Sequence, residues 1–107
     1  MELGIIKNDK SFKIETSSDK AQLDKDKIQF PLMLRKWKQG DRFTPLGMKG
    51  SKLISDFFAD QKISNYEKDN IWLLVSANEI VWVVGFRISE HFKVTPKTKK
   101  ILSLKLC

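Results

Sequence analysis

Two almost unbroken apolar runs, Ile71-Trp72-Leu73-Leu74-Val75 and Ile80-Val81-Trp82-Val83-Val84, flank Ser76-Ala77-Asn78-Glu79. A strand with one wet face alternates apolar and polar residues, whereas a strand covered on both faces does not. The runs Ile71 to Val75 and Glu79 to Gly85 therefore read as a hairpin at the buried centre of a sheet. On this reading Trp72 and Trp82 are core residues, more deeply buried than Trp37.

The other segments supply shorter elements. Phe12, Ile14 and Thr16 share one face of a short strand, and Thr16-Ser17-Ser18-Asp19 is a turn. Ala21 to Asp24 is a second short strand. Ile28 to Trp37 is extended but interrupted by Pro31, which has no N–H for a ladder and marks an edge or a bulge. Beyond Pro31 the alternation aims Arg35 and Trp37 at one face. Gln39 to Gly50 reads as loop, punctuated by Gly40, Pro45, Gly47 and Gly50. Ser51 to Gln61 is the clear helix, with Ser51 as N-cap and Leu53, Ile54, Phe57 and Phe58 as its apolar stripe. Ser64 to Asn70 is a helical turn carrying Tyr66. Residues 88–92 are a connection, Lys93-Val94-Thr95 a short strand, and Ile101 to Leu106 the last strand. Five to seven strands and one helix give an α+β fold class: a small barrel-like or mixed β-sheet with one main helix packed on it.

At 107 residues the chain is one domain, large enough to bury a core without metal or disulfides. Its single cysteine, Cys107, excludes an internal disulfide or a cysteine zinc cluster. No apolar run approaches the ~20 residues that span a bilayer, and the first ten residues lack the pattern of a signal peptide, so neither a membrane nor secretion is expected. Twenty Lys and Arg against thirteen Asp and Glu give a net charge of +7. Residues 1–30 sum to zero, so the whole excess lies in residues 31–107. That asymmetry fits a polyanion binder, although seventeen of the twenty cations are lysine, which suits diffuse charge more than base reading.

Catalytic or metal chemistry has little support. His91 has no nucleophile motif beside it, and a solvated helix face accounts for Asp56 and Asp60. Neither a Walker loop nor a dinucleotide fingerprint is present. Gly47-Met48-Lys49-Gly50-Ser51-Lys52 reads equally as a phosphate contact or as an ordinary glycine-rich approach to a helix. The densest signal is Arg35 to Phe43, where Arg35, Lys36, Lys38 and Arg42 interleave with Trp37 and Phe43 and Lys49 follows. Arginines fork onto phosphate and aromatics stack on bases. Alternatively Trp37 and Phe43 are core anchors, and Asp41 caps the turn after Gly40 or pairs with an arginine.

The stretch Arg35-Lys36-Trp37-Lys38-Gln39-Gly40-Asp41-Arg42-Phe43-Thr44-Pro45-Leu46-Gly47-Met48-Lys49-Gly50, followed by Lys52-Leu53-Ile54-Ser55-Asp56-Phe57-Phe58-Ala59-Asp60, resembles the C-terminal domain of tRNA(Ile)-lysidine synthases. Ile80 to Ile88 and Phe92-Lys93-Val94-Thr95 follow in that family's order, and the resemblance covers residues 28–106. It implies a domain over 28–107, with 1–27 as a lead-in segment. The resemblance further implies a cytoplasmic tRNA-modifying ligase that uses ATP to join lysine to the wobble cytidine of a minor isoleucine tRNA. ATP and Mg would belong to an N-terminal catalytic domain with a Ser-Gly-Gly-x-Asp-Ser loop, which this chain lacks. The chain is then expected to be an inactive fragment that binds the tRNA acceptor stem, with no cofactor of its own. A related fold occurs in the β-chain of phenylalanyl-tRNA synthetase. The tRNA-binding residues implied are Arg35, Lys36, Trp37, Arg42, Lys49, Lys52 and Arg87, with Gly40, Asp41, Gly47 and Gly50 setting the loop. The competing reading is a scaffold that docks on the catalytic domain or forms a homodimer, its charge incidental.

Overall fold

The computed structural model describes residues 2–7 and 20–105, so the expected strand at Phe12 to Thr16 and its turn lie outside the described residues. The central hairpin forms as expected. Strands β6 (Trp72–Ser76) and β7 (Glu79–Val83) pair antiparallel and close through Ala77 and Asn78, whose φ angles of 47° and 70° make the mirror-image turn that matches strand twist. Leu74 pairs with Trp82 and Val75 with Ile80, which leaves Val81 as a bulge. Cover on both faces removes the apolar–polar alternation, and the bulge puts Val81 and Trp82 on the same face. Leu73, Val75, Ile80 and Val83 enter one core, while Leu74, Val81 and Trp82 enter a second on the opposite face.

Strands β3 (Met33–Lys36) and β8 (Arg87–Ile88) extend the hairpin into a sheet of order β3-β6-β7-β8, with β3 at its edge. The second core is closed by a three-stranded sheet in which β9 (Lys100–Lys105) runs between β1 (Glu2–Lys7) and β2 (Lys20–Asp24). Ala21, Leu23, Leu102 and Leu104 pack there against Trp82 and Phe92. The first core is closed by helix α1 (Ile54–Asp60), which buries Ile54, Phe57 and Phe58. A four-residue helix, α2 (Asn65–Lys68), follows, capped by the Ser64 hydroxyl accepting the Glu67 N–H. The class is α+β, as expected, with mostly antiparallel sheets and one main helix.

Four local expectations are corrected. Gln39 to Gly50 is not all loop, because β4 (Arg42–Phe43) pairs with β5 (Lys52–Leu53). That pairing takes Lys52 and Leu53 out of the helix, so Ser51 does not cap it. The Ile54 N–H is met instead by the Asp41 carbonyl at 2.8 Å. Lys93 to Thr95 is no strand: Lys93 makes one bridge to Leu23, and a turn joins Thr95 to Thr98. Trp72 is not core. It sits at the open end of β6 opposite Lys36 and is 44% exposed, against 1% for Trp82. An apolar run reports hydrophobicity but not how far the covering layer reaches.

Replacing Trp82 with Ala should cost about 3–5 kcal/mol, whereas Trp72→Ala should cost under about 1 kcal/mol. Urea midpoints of the two variants check the ranking, and equal losses would contradict the two-core packing.

Candidate nucleic-acid interface

The site begins at the turn that leaves edge strand β3. Lys38-Gln39-Gly40-Asp41 closes through the Asp41 N–H on the Lys38 carbonyl at 3.1 Å, with Gly40 at φ 94°, an angle costly for any residue with a Cβ. The Asp41 carboxylate faces back across this turn. It accepts the Lys38 N–H at 2.8 Å and both terminal nitrogens of Arg35, at 2.8 and 3.0 Å. Arg35 also donates to the Lys36 carbonyl at 3.1 Å, so the guanidinium is held in a fork. Burial alone would raise the Asp41 pKa. The hydrogen bonds from Arg35 and Lys38, with their charges, outweigh it and hold the carboxyl below its ordinary value. The hydrogen bond to Asp41 raises Arg35 in turn, against a smaller burial effect. Arg35 is thus anchored and permanently charged.

Arg42 is fixed one turn later. Its Nε donates to the Ser51 hydroxyl at 3.1 Å and a terminal nitrogen reaches the Ser51 carbonyl at 3.4 Å. The loop that follows is stitched down: Glu90 N–H donates to Thr44 O at 2.7 Å, Leu46 N–H to Ile88 O at 3.0 Å, and Gly47 N–H to the Glu90 carboxylate at 2.9 Å. Gly47 takes φ 89° in the Pro45–Met48 turn, while Gly50 has no left-handed angle. Lys93 and the Gly47 N–H hold the Glu90 carboxyl below its ordinary pKa. His91 Nε2 lies 3.1 Å from the Thr44 hydroxyl.

Two shallow cavities meet at the hairpin turn. One, about 470 Å³, is lined by Met33, Arg35, Lys38, Asp41 and Asn78. The other, about 230 Å³, is lined by Arg42, Thr44, Ser51, Asn78, Glu79 and His91. Asn78 borders both, so the surface around the hairpin turn carries Arg35 and Lys38 in one cavity and Arg42 with small polar groups in the other. Sequence reading found the two arginines but not Asn78, Ser51, Thr44 or His91, which lie up to 49 positions from Arg42 in the chain yet line one cavity with it. The left-handed angle that an asparagine tolerates was the one available signal for Asn78.

The remaining predicted residues go elsewhere. Lys36 points to the opposite face of β3, with its ammonium 4.1 Å from the Trp72 ring centroid. Trp37 packs edge-on against Phe58, centroids 5.5 Å apart, as a wall of the first core. Lys52 is ion-paired with Asp60. Arg87 lies over the Phe57 ring, 5.6 Å from its centroid. Lys49 is exposed in the loop before β5. Among the described residues no group of three or more His, Cys, Asp or Glu stands ready for a metal ion, and no helix is long and apolar enough to cross a membrane.

Because its folded pKa is depressed, Asp41 contributes stability at pH values above the ordinary carboxylate pKa of ~3.9 and loses it as pH falls through its lower folded value. Asp41→Asn should therefore lower stability by about 1–3 kcal/mol at neutral pH. The gap to the parent should narrow steadily in acid. Urea unfolding across that range measures it, and a gap that widened in acid would contradict the fork.

Residues 32–105 match the family described as the TilS substrate C-terminal domain. The chain is 52% identical over 91 residues to the tRNA(Ile)-lysidine synthase of Parabacteroides distasonis, covering 85% of this chain and 21% of that protein. It is 54% identical over 83 residues to the enzyme of Clostridium tetani, covering 78% and 18%. The chain thus spans about a fifth of the length of these curated relatives. Its fold is similar to the crystal structure of a TILS C-terminal domain, with a TM-score of 0.78 at 22% identity over 96% of this chain and 80% of that one. It is also similar to an N-terminal fragment of the phenylalanyl-tRNA synthetase β-subunit from Pyrococcus horikoshii, with a TM-score of 0.65 at 20% identity over 78% and 26%. The chain belongs to the family of tRNA(Ile)-lysidine synthase C-terminal domains.

Proposed function

We propose that this domain holds the substrate tRNA for a tRNA(Ile)-lysidine synthase, receiving the acceptor stem in the groove around Asn78. The observation that carries the reading is the fixing of Arg35 by Asp41 and of Arg42 by Ser51 on one groove, in a member of this family. An A-form stem offers phosphates, 2′-hydroxyls and a shallow minor groove. Rigid arginines suit the phosphates, and Asn78, Ser51 and Thr44 suit the hydroxyls. Lys38 adds flexible charge in the groove, and Lys49 adds it from the exposed loop before β5. The chemistry that joins lysine to the wobble cytidine, with its ATP and Mg, belongs on this reading to the catalytic remainder of a cytoplasmic enzyme, against which this domain docks.

Binding of the tRNA transcript by the 107-residue chain tests it. About five phosphate contacts give a log–log salt slope near −4.5. Arg42→Glu and Lys38→Glu should each weaken binding about 10-fold, while Lys100→Glu on the far sheet should stay within about twofold. Arg35→Glu is a poorer probe because it also breaks the fork with Asp41. A docking or dimerisation scaffold predicts negligible tRNA binding and no difference among the three variants. The chain alone should show only background ATP–pyrophosphate exchange, and lysine-dependent AMP release would overturn the division of labour.

A further inference from the structure

Trp72 belongs to neither core cluster and is 44% exposed. It stands directly opposite Lys36 in the ladder between β6 and edge strand β3, beside the Leu34–Leu74 pair. Directly opposed residues share a face, and the Lys36 ammonium lies 4.1 Å from the indole ring centroid; Leu34, 46% exposed, is on the same face of β3. Phe30, 53% exposed, repeats the arrangement with Lys25 at 5.6 Å.

We propose that Trp72 and Lys36 form a stacking site for one unpaired nucleotide of RNA, the base on the indole and its flanking phosphate on the Lys36 ammonium. This rests on the RNA-binding reading above and adds a feature to its substrate: a single-stranded segment next to the duplex. Charge complementarity chooses the occupant. The patch combines an open π-face with a cation, and every nucleotide carries a π-face and an anion one unit apart. In the free domain the ammonium covers the ring by cation–π attraction, and on binding it moves to the phosphate while the base takes its place. The topology supplies the route. Arg35 and Lys36 are consecutive on an edge strand and point to opposite faces, so a strand leaving a stem in the Arg35 groove reaches Trp72 by crossing the sheet edge.

The experiment compares a blunt RNA hairpin with the same hairpin carrying a short single-stranded 3′ extension, each titrated by fluorescence anisotropy against the parent chain, Trp72→Ala, Trp72→Phe and Lys36→Ala. The extension should tighten binding to the parent about 10-fold. Trp72→Ala should erase that gain without weakening the blunt hairpin, and Trp72→Phe should keep part of it. If the blunt hairpin binds but the extension adds nothing, or if Trp72→Ala keeps the gain, the stacking site is overturned and the RNA-binding reading stands. If neither hairpin binds, the RNA-binding reading falls and the stacking site with it. Self-association that Trp72→Ala abolishes, with no effect of the extension, assigns the patch to a second copy of the chain and overturns the proposal.

Discussion

One extra residue in β7 governs the architecture. Without Val81 as a bulge, the run from Ile80 to Val83 would alternate strictly and put Val81 and Trp82 on opposite faces. With it, Ile80 and Val83 seal the helix-side core while Val81 and Trp82 together fill the other. The four-stranded sheet carries a core on each face, and residues of the hairpin enter both. The turn of that hairpin is also where the two surface cavities meet, so the same β6–β7 unit that sets the cores positions Asn78.

The groove depends in turn on backbone bonds made across the fold. The Asp41 carbonyl receives the first N–H of α1, while its side chain receives Arg35 and Lys38. One residue therefore couples the edge strand, the turn and the helix start. Cations held this way lose little side-chain entropy when a ligand arrives, which is the physical advantage of preorganised arginine over free lysine.

Much of the fold was legible in the sequence. The hairpin, the last strand, the short strand at Ala21 to Asp24 and the stripe of Ile54, Phe57 and Phe58 follow from apolar spacing alone. What was not legible depends on partners distant in the chain. Lys52 and Leu53 extend a helical pattern perfectly well, but pairing with Arg42 and Phe43 takes them into a ladder. Trp72 sits in a run of core residues but is the first residue of β6, opposite Lys36 on the edge strand, and joins neither core. At the site, the turn chemistry of Gly40 and Asp41 and the density of cations mark the region. The division of Arg35 and Lys36 between opposite faces follows from strand alternation, but the use of Lys52 by Asp60 and of Arg87 by Phe57 is a tertiary fact with no local signal.

The central claim is that the groove joining Arg35, Asn78 and Arg42 is where tRNA sits. Amide chemical-shift mapping of the labelled chain on addition of tRNA tests it most directly. The account predicts the largest shifts or broadening at Lys38, Arg42, Ser51 and Asn78, with Asp56, Tyr66 and Lys100 left nearly unchanged. Perturbations centred on α2 or on the outer face of β9, with the Asn78 turn silent, would contradict it.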